Sequence, residues 1–152
     1  MEYVEAPNKW DKKGIGIFLG GGISNCPDWQ LALTDSFKLH FEDEPVTIIN
    51  PRREDFDIND SSQERIQIKW EFDHLALAEA IIFWFSPPTL NPIVLFEYGK
   101  HINHNNLFVG CDPEYARKSD VLIQTELARP DIQVASSLGE LTTQVVDWYF
   151  DA

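Results

Sequence analysis

Four short runs that are apolar at nearly every position constrain this chain more than any other feature. They are Gly14–Leu19 (GIGIFL), Val46–Asn50 (VTIIN), Ala80–Phe85 (AIIFWF) and Leu107–Gly110 (LFVG). A strand without polar alternation is buried on both faces, and a sheet covered by helices on both sides is what buries it so. Each run ends at a glycine or proline break, and each break is followed by a stretch of helical spacing. A shorter run, Ile132–Ala135, reads as a fifth strand.

The intervening helices are legible from caps and spacing. Asp28 has the chemistry of an N-cap, with Trp29, Leu31, Leu33, Phe37 and Phe41 following at helical intervals. A long helix is expected from about Gln63 to Ala78, with Ile66, Trp70, Leu75 and Leu77 or Ala78 apolar. A third runs from Pro92 or Ile93 to His101, with proline tolerated in its first turn. Lys118–Ala128 and Ser137–Phe150 complete the set. Residues 1–13 read as a loose lead-in and 14–152 as one domain, a size that buries a substantial core. The alternation of strand and helix predicts an α/β, flavodoxin-like three-layer fold with a roughly five-stranded parallel sheet. In such sheets ligands bind outside the carboxyl ends of the strands. Five segments therefore merit attention: Gly20–Asp28, Asn50–Asp60, Ser86–Glu97, Gly110–Arg117 and Ser136–Leu138.

Charge narrows the partners. Twenty-five acidic side chains against 12 basic ones leave a formal net charge of −13. That field repels a nucleic-acid polymer, while a neutral nucleoside is unaffected by it. The two cysteines, Cys26 and Cys111, form no CxxC and are too few for a disulfide framework, so reduced thiols in a cytoplasmic protein are expected. The first residues are polar, unlike a signal peptide. The longest apolar stretch, near Ala80–Phe85, is far too short to span a bilayer, so no membrane partner is expected.

Chemistry-bearing residues fall in the selected segments. Gly20-Gly21-Gly22-Ile23-Ser24 allows a ligand close to backbone N–H groups, or simply makes a tight turn. It matches neither GxGxxG nor GxxxxGK[ST], so no dinucleotide or P-loop site is expected. Arg52 and Arg53 directly follow the second strand; they can hold a phosphate or carboxylate, or pair with Glu54, Asp55 or Asp57. Glu97 lies among Ile93, Val94, Leu95 and Phe96 near a helix start, where the helix N-terminus can hold it ionised as a nucleophile. The alternative is a carboxylate pointing to solvent. Glu71 and Asp73 flank Phe72 two residues apart, so at most one enters a given pocket. His74 beside them reads as partly buried. His101 and His104 have no Cys or acidic partners that complete a metal set, and no metal or cofactor is expected.

Taken together, IFLGGGISNCPDWQ (17–30), NPRR (50–53), WEFDHLALAEAIIFWF (70–85), LFEYGKH (95–101) and FVGCDPEYARKSDV (108–121) resemble the nucleoside 2-deoxyribosyltransferase superfamily, in its short deoxyribosyltransferase-like branch. The resemblance implies a flavodoxin-like enzyme that cleaves the bond between a (deoxy)ribose and a base. It makes Glu97, in Glu97-Tyr98-Gly99, the nucleophile. It makes Glu71, eight residues before Glu79, the assisting acid, with Asp73 as the fallback. Where the transferases carry a third acid, six residues before the nucleophile, this chain has Asn91. Ser24 and Ser86 are candidates for the phosphate-binding serines of nucleotide-hydrolysing relatives, and Trp29 or Trp84 can stack on a base, with core packing the stronger reading for Trp84. The substrate-side set is thus Gly21, Gly22, Ser24, Trp29, Arg52, Arg53, Ser86 and Asn91. The resemblance also implies a homo-oligomer, a dimer or larger, in which a neighbour completes the pocket.

The chemistry expected is attack of Glu97 on C1′ as the base leaves, then release of the glycosyl ester to water or a second base. Retaining glycosidases use two carboxyl groups about 5–5.5 Å apart in this way. Two other classes stay open. One is a glycohydrolase of a nicotinamide dinucleotide or related ADP-ribose compound; the other is a non-catalytic module that senses a nucleotide.

Overall fold

The computed structural model of the protein describes residues 1–57 and 59–151. Ile58, within the loop expected over 52–60, and Ala152, at the end of the expected domain, lie outside the described residues. Five strands are present among the described residues: β1 (Glu2–Glu5), β2 (Ile15–Gly21), β3 (Val46–Asn50), β4 (Ala80–Phe85) and β5 (Leu107–Cys111). Five helices accompany them: α1 (Trp29–Phe41), α2 (Ser61–Leu77), α3 (Pro92–His101), α4 (Lys118–Ala128) and α5 (Leu138–Asp151). The strands form one all-parallel sheet in the order β1-β3-β2-β4-β5.

The sheet is buried on both faces, as its unbroken apolar strands require. Along β4, Ile81, Phe83 and Phe85 join Phe18, Ile49, Trp70 and Tyr98 in one core. Their neighbours Ala80, Ile82 and Trp84 turn to the other face and pack with Leu19, Leu33, Phe37 and Leu141. Helices α2, α3 and α4 cover the first face, and α1 and α5 the second, which makes the three-layer α/β flavodoxin-like fold. Each large apolar side chain so buried contributes about 1.5–3 kcal/mol.

Local signals set the helix starts. The Asp28 carboxylate accepts from Leu31 N at 3.0 Å and caps α1. Asp60 accepts from Ser62 N at 2.9 Å, so α2 begins at Ser61, two residues before the expected Gln63. Leu31, Ile66 and Leu77, expected on apolar faces, are exposed.

Two expectations are corrected. Residues 1–13 are not a loose lead-in. β1 pairs with β3 from Glu2↔Thr47 to Glu5↔Asn50, and Ala6 N donates to Asn50 O at 3.1 Å. Trp10 is buried against Gly16, and Trp70 Nε1 donates to Asn8 O at 2.6 Å. An edge strand has one partner and needs only a short half-apolar pattern, so Glu2-Tyr3-Val4-Glu5 carries little signal. Conversely, Ile132–Ala135 is no strand: only Ala135 bridges Gly110, receiving Cys111 N and reaching Val109 O, both at 2.8 Å. The next residues already cap α5, with Ser137 Oγ accepting from Glu140 N and the Glu140 carboxylate accepting from Ser136 N. The fifth strand is thus supplied at the opposite edge.

Candidate active site

The strand order sets the crevice. β2 and β4 are neighbours, but the chain leaves β2 toward α1 on one face and leaves β4 toward α3 on the other. Their diverging loops open a gap at the carboxyl edge, as expected of a doubly wound sheet. A cleft of about 840 Å³ occupies it, within the range of ~300–1,000 Å³ usual for small-molecule sites. Its floor is Gly20, Gly21 and Gly22 at the end of β2. One wall is α2, through Gln67, Ile68, Glu71 and Phe72; the other is α3, through Ile93, Phe96, Glu97 and Lys100. Arg53 and Phe56, from the loop after β3, close one end.

Glu71 and Glu97 meet across this cleft. Their carboxyl groups hydrogen-bond to each other, and both are raised above the ordinary carboxylate range. Burial is the main cause for each. For Glu97 the adjacent Glu71 charge adds to it and Lys100 opposes it, and the group is pushed up to about 8. A hydrogen bond between two carboxyl groups requires that one be protonated, so the pair holds a proton at neutral pH. This corrects the expectation that the helix N-terminus keeps Glu97 ionised. Glu97 sits in the second turn of α3, where the helix dipole has faded and desolvation wins.

Gln67 lies one turn before Glu71 on α2. Its Nε2 donates to Glu71 Oε1 at 2.7 Å and to Pro51 O at 2.8 Å. Lys100 lies 4.1 Å from the centre of the Phe72 ring, so a cation and two aromatic or aliphatic walls flank the carboxyl pair.

The remaining expected residues divide sharply. Gly21, Gly22, Ser24, Arg53 and Asn91 border the cleft. Gly22 must be glycine for packing: a Cβ there would strike the Asn91 amide and the Cys26 sulfur. Asn91 uses its polar atoms inside the loop. Its Nδ2 donates to Ser86 O at 3.2 Å and Thr89 O at 3.3 Å, and its Oδ1 accepts from Thr89 Oγ1 and Cys26 Sγ. It therefore braces the loop instead of replacing the missing acid. Arg53 is engaged by Asp55 and Gln63 and lies over Phe56, and its Nη1 is buried with no partner among the described residues.

Trp29, Trp84, Arg52, Ser86 and Asp73 are not on the cleft wall. Trp29 and Trp84 belong to the core on the α1–α5 face, and Trp29 Nε1 donates to Gly22 O at 3.0 Å, supporting the floor from below. Arg52 points to the same side and clamps the β2–α1 loop through Ile23 O, Cys26 O and Pro27 O. The Ser86 hydroxyl is buried with no partner among the described residues. Asp73 turns outward to an ion pair with Lys69 at 2.5 Å, which removes it as the fallback acid. His74, expected to be partly buried, is buried outright, stacked on Trp70 and accepting from Trp10 N at 3.3 Å.

Gln67, Phe72, Phe96 and Lys100 were not singled out by the sequence. Spacing held the signal: Gln67 and Glu71 are four apart on one helix, and Glu97 and Lys100 three apart on another. Among the described residues no three His, Cys, Asp or Glu side chains are grouped to hold a metal ion, and no helix is long and apolar enough to cross a membrane.

Comparison with known proteins covers most of this region. A family described as "nucleoside 2-deoxyribosyltransferase like" matches residues 14–115, about two thirds of the chain, including both glutamates. A crystal structure of a conserved protein from Enterococcus faecalis V583 superposes with a TM-score of 0.64 at 15% identity, covering 87% of this chain and 97% of that one. At that identity the likeness speaks for the fold alone. No curated protein matches the sequence.

Proposed function

The chain belongs to the nucleoside 2-deoxyribosyltransferase-like family, and on that footing we propose that it is an enzyme that cleaves or transfers the N-glycosidic bond of a (deoxy)nucleoside or nucleoside monophosphate through a glycosyl–Glu97 ester. The observation that carries this is the Glu71–Glu97 pair, two carboxyl groups sharing a hydrogen bond inside a nucleoside-sized cleft.

One shared proton accounts for both halves of the chemistry. In the free enzyme it rests on Glu97, whose carboxyl is pushed up to about 8. As C1′ gains positive charge beside Glu97, the ionised form becomes favourable and the proton passes to Glu71. A Glu97 oxygen bonds to C1′, the C1′–N bond breaks, and its electron pair leaves with the base. Glu71 delivers the proton to that base nitrogen. Water, or a second base, then attacks C1′ from the vacated side. Glu71 takes the attacking group's proton, Glu97 departs as a carboxylate, and two displacements retain the anomeric configuration. Phe72 and Phe96 on facing walls suit a planar base.

One further element rests on the family likeness and another on the two thiols. Ile68, Phe72, Ile93 and Phe96 are exposed at the rim of the cleft, which fits a second copy of the chain covering it. Free Cys26 and Cys111 fit a reducing, cytoplasmic setting.

The deciding experiment is base release, followed by mass spectrometry, from nucleosides, their 5′-monophosphates and NAD. Glu97→Gln is expected to lose activity by on the order of 10³-fold or more, with a sugar adduct on Glu97 trapped in wild type by a slow substrate. Unimpaired turnover by the variant would remove the nucleophile. Release of nicotinamide alone would move the substrate to the dinucleotide class, and ligand binding without any turnover would leave only the sensing role.

A further inference from the structure

We propose that Gln67 is a positioning residue of this site: anchored on the Pro51 carbonyl, its amide holds one oxygen of Glu71 and thereby decides which of the two carboxyl groups carries the negative charge. The kinetic consequence rests on the function proposed above, whereas the charge assignment belongs to the free protein.

The orientation of the amide is not arbitrary. A carbonyl oxygen can only accept, so the Gln67 group facing Pro51 O must be the NH₂, at 2.8 Å. The same nitrogen reaches Glu71 Oε1 at 2.7 Å, spending its second hydrogen there. Glu71 therefore receives a donor that Glu97 lacks, and a donor favours the ionised form. Pro51 itself is fixed at the end of β3, buried where the strand gives way to the loop. Gln67 thus ties the acid on α2 to the sheet, and leaves the other Glu71 oxygen to face Glu97 and an incoming base.

The other charged or titratable groups around the cleft do not supply this bias. Arg53, from the β3–α2 loop, is engaged by Asp55 and Gln63. Glu64, one turn earlier on α2, carries the wrong sign to hold Glu71 ionised. On α3, Lys100 acts on Glu97 and so opposes the assignment, while His101 is shifted toward its neutral form by burial. Gln67 is the group in contact with Glu71 that selects between the carboxyls. The Gln67 oxygen is buried with no partner among the described residues, a cost that the two amide donations offset.

The test is carboxyl titration by NMR of protein carrying ¹³C-labelled glutamate, with Glu71→Gln and Glu97→Gln used to assign the signals. Gln67→Met, which keeps the length and removes the donor, is expected to raise the lower of the pair's two transitions by about one pH unit. The acidic limb of the pH–rate profile for base release should move upward with it. Should Gln67→Met fail to fold, wild-type protein gives the second measurement: the Gln67 side-chain amide ¹H and ¹⁵N shifts are expected to follow that same lower transition. Transitions unchanged in folded Gln67→Met, or an amide indifferent to pH through the transition, would overturn the proposal. Transitions that shift in a protein releasing no base from any substrate would uphold the charge assignment and remove the enzymatic reading instead.

Discussion

Glu71 on α2 and Glu97 on α3 hydrogen-bond carboxyl to carboxyl across the cleft, and the geometry is tolerable only while a proton lies between them. Glu97 is accordingly pushed from its ordinary 4.5 to about 8. A carboxyl raised by folding binds its proton more tightly in the folded chain than in the unfolded one. Its contribution is fully present below pH 4.5 and is lost as pH rises through about 8. Glu97→Gln, which cannot ionise, should escape that loss. The variant is expected to melt above wild type at pH 8–9, by on the order of 2 kcal/mol or roughly 5 °C. The gap should close toward pH 5. Thermal denaturation across pH 5–9 checks this.

On the mechanism proposed above, Glu71→Gln separates acid assistance from nucleophilic attack. The variant keeps a polar group beside Glu97 but removes the proton carrier and the repelling charge. Base release should fall by about 10²–10⁴-fold for ordinary nucleosides. Substrates whose base leaves readily as an anion need no proton and should be much less affected. The Glu97 titration should move down from about 8, because the Glu71 charge no longer raises it. Steady-state kinetics on a series of bases graded by leaving-group pKa would show the difference as a changed slope.

The sequence was most informative where burial alone decides structure. Val46–Asn50, Ala80–Phe85 and Lys118–Ala128 form as their patterns predict, because doubly buried strands and their following helices leave dense apolar signals. Glu97 stood out by contrast alone, as an acid among Ile93, Val94, Leu95 and Phe96, although Ile93 and Phe96 are exposed. What failed depends on which face an element covers. Trp29 opens α1, and α1 lies on the face away from the cleft, a fact no local pattern records. β1 pairs with residues more than forty positions away, and four residues at an edge carry little pattern. Arg52 and Arg53 lie beyond the end of β3, where strand alternation no longer applies, and their different partners follow from a loop conformation that spacing does not record.

Arg52 gives the prediction for that difference. Its Nη2 donates to Ile23 O at 2.7 Å and Cys26 O at 2.9 Å, and its Nη1 to Pro27 O and Gln30 Oε1, both at 3.0 Å. An ion pair to Asp28 at 3.2 Å completes the clamp. Arg52→Met leaves these acceptors without their donor and should cost about 2–4 kcal/mol. Because Ile23, Ser24 and Asn25 border the cleft, KM should rise while kcat changes less. Arg52→Lys, with a point charge in place of the planar fork, should recover only part of the loss. Calorimetry and steady-state kinetics on both variants check this.

His74 fixes how the N-terminal segment responds to acid. Its Nδ1 lies 2.7 Å from Trp70 O, an acceptor, so that nitrogen carries the hydrogen. Its Nε2 accepts from Trp10 N at 3.3 Å and must therefore be unprotonated. The Nε2 bond requires the neutral ring; burial, the largest effect, lowers the pKa below the ordinary 6.5, while the bond to Trp70 O favours the charged form and opposes it. Asp73 works weakly against that shift and Lys9 weakly with it. A base depressed by folding takes its proton more readily in the unfolded chain. Its contribution is therefore fully present above pH 6.5 and is lost as pH falls through the window below it. Protonation adds a hydrogen at Nε2 facing the Trp10 N–H, which must release the segment joining β1 to β2. Hydrogen exchange is the discriminating measurement. Amides of residues 8–13 should lose protection as pH falls below 6.5 while those of β4 keep it, and His74→Gln should remove most of that pH dependence.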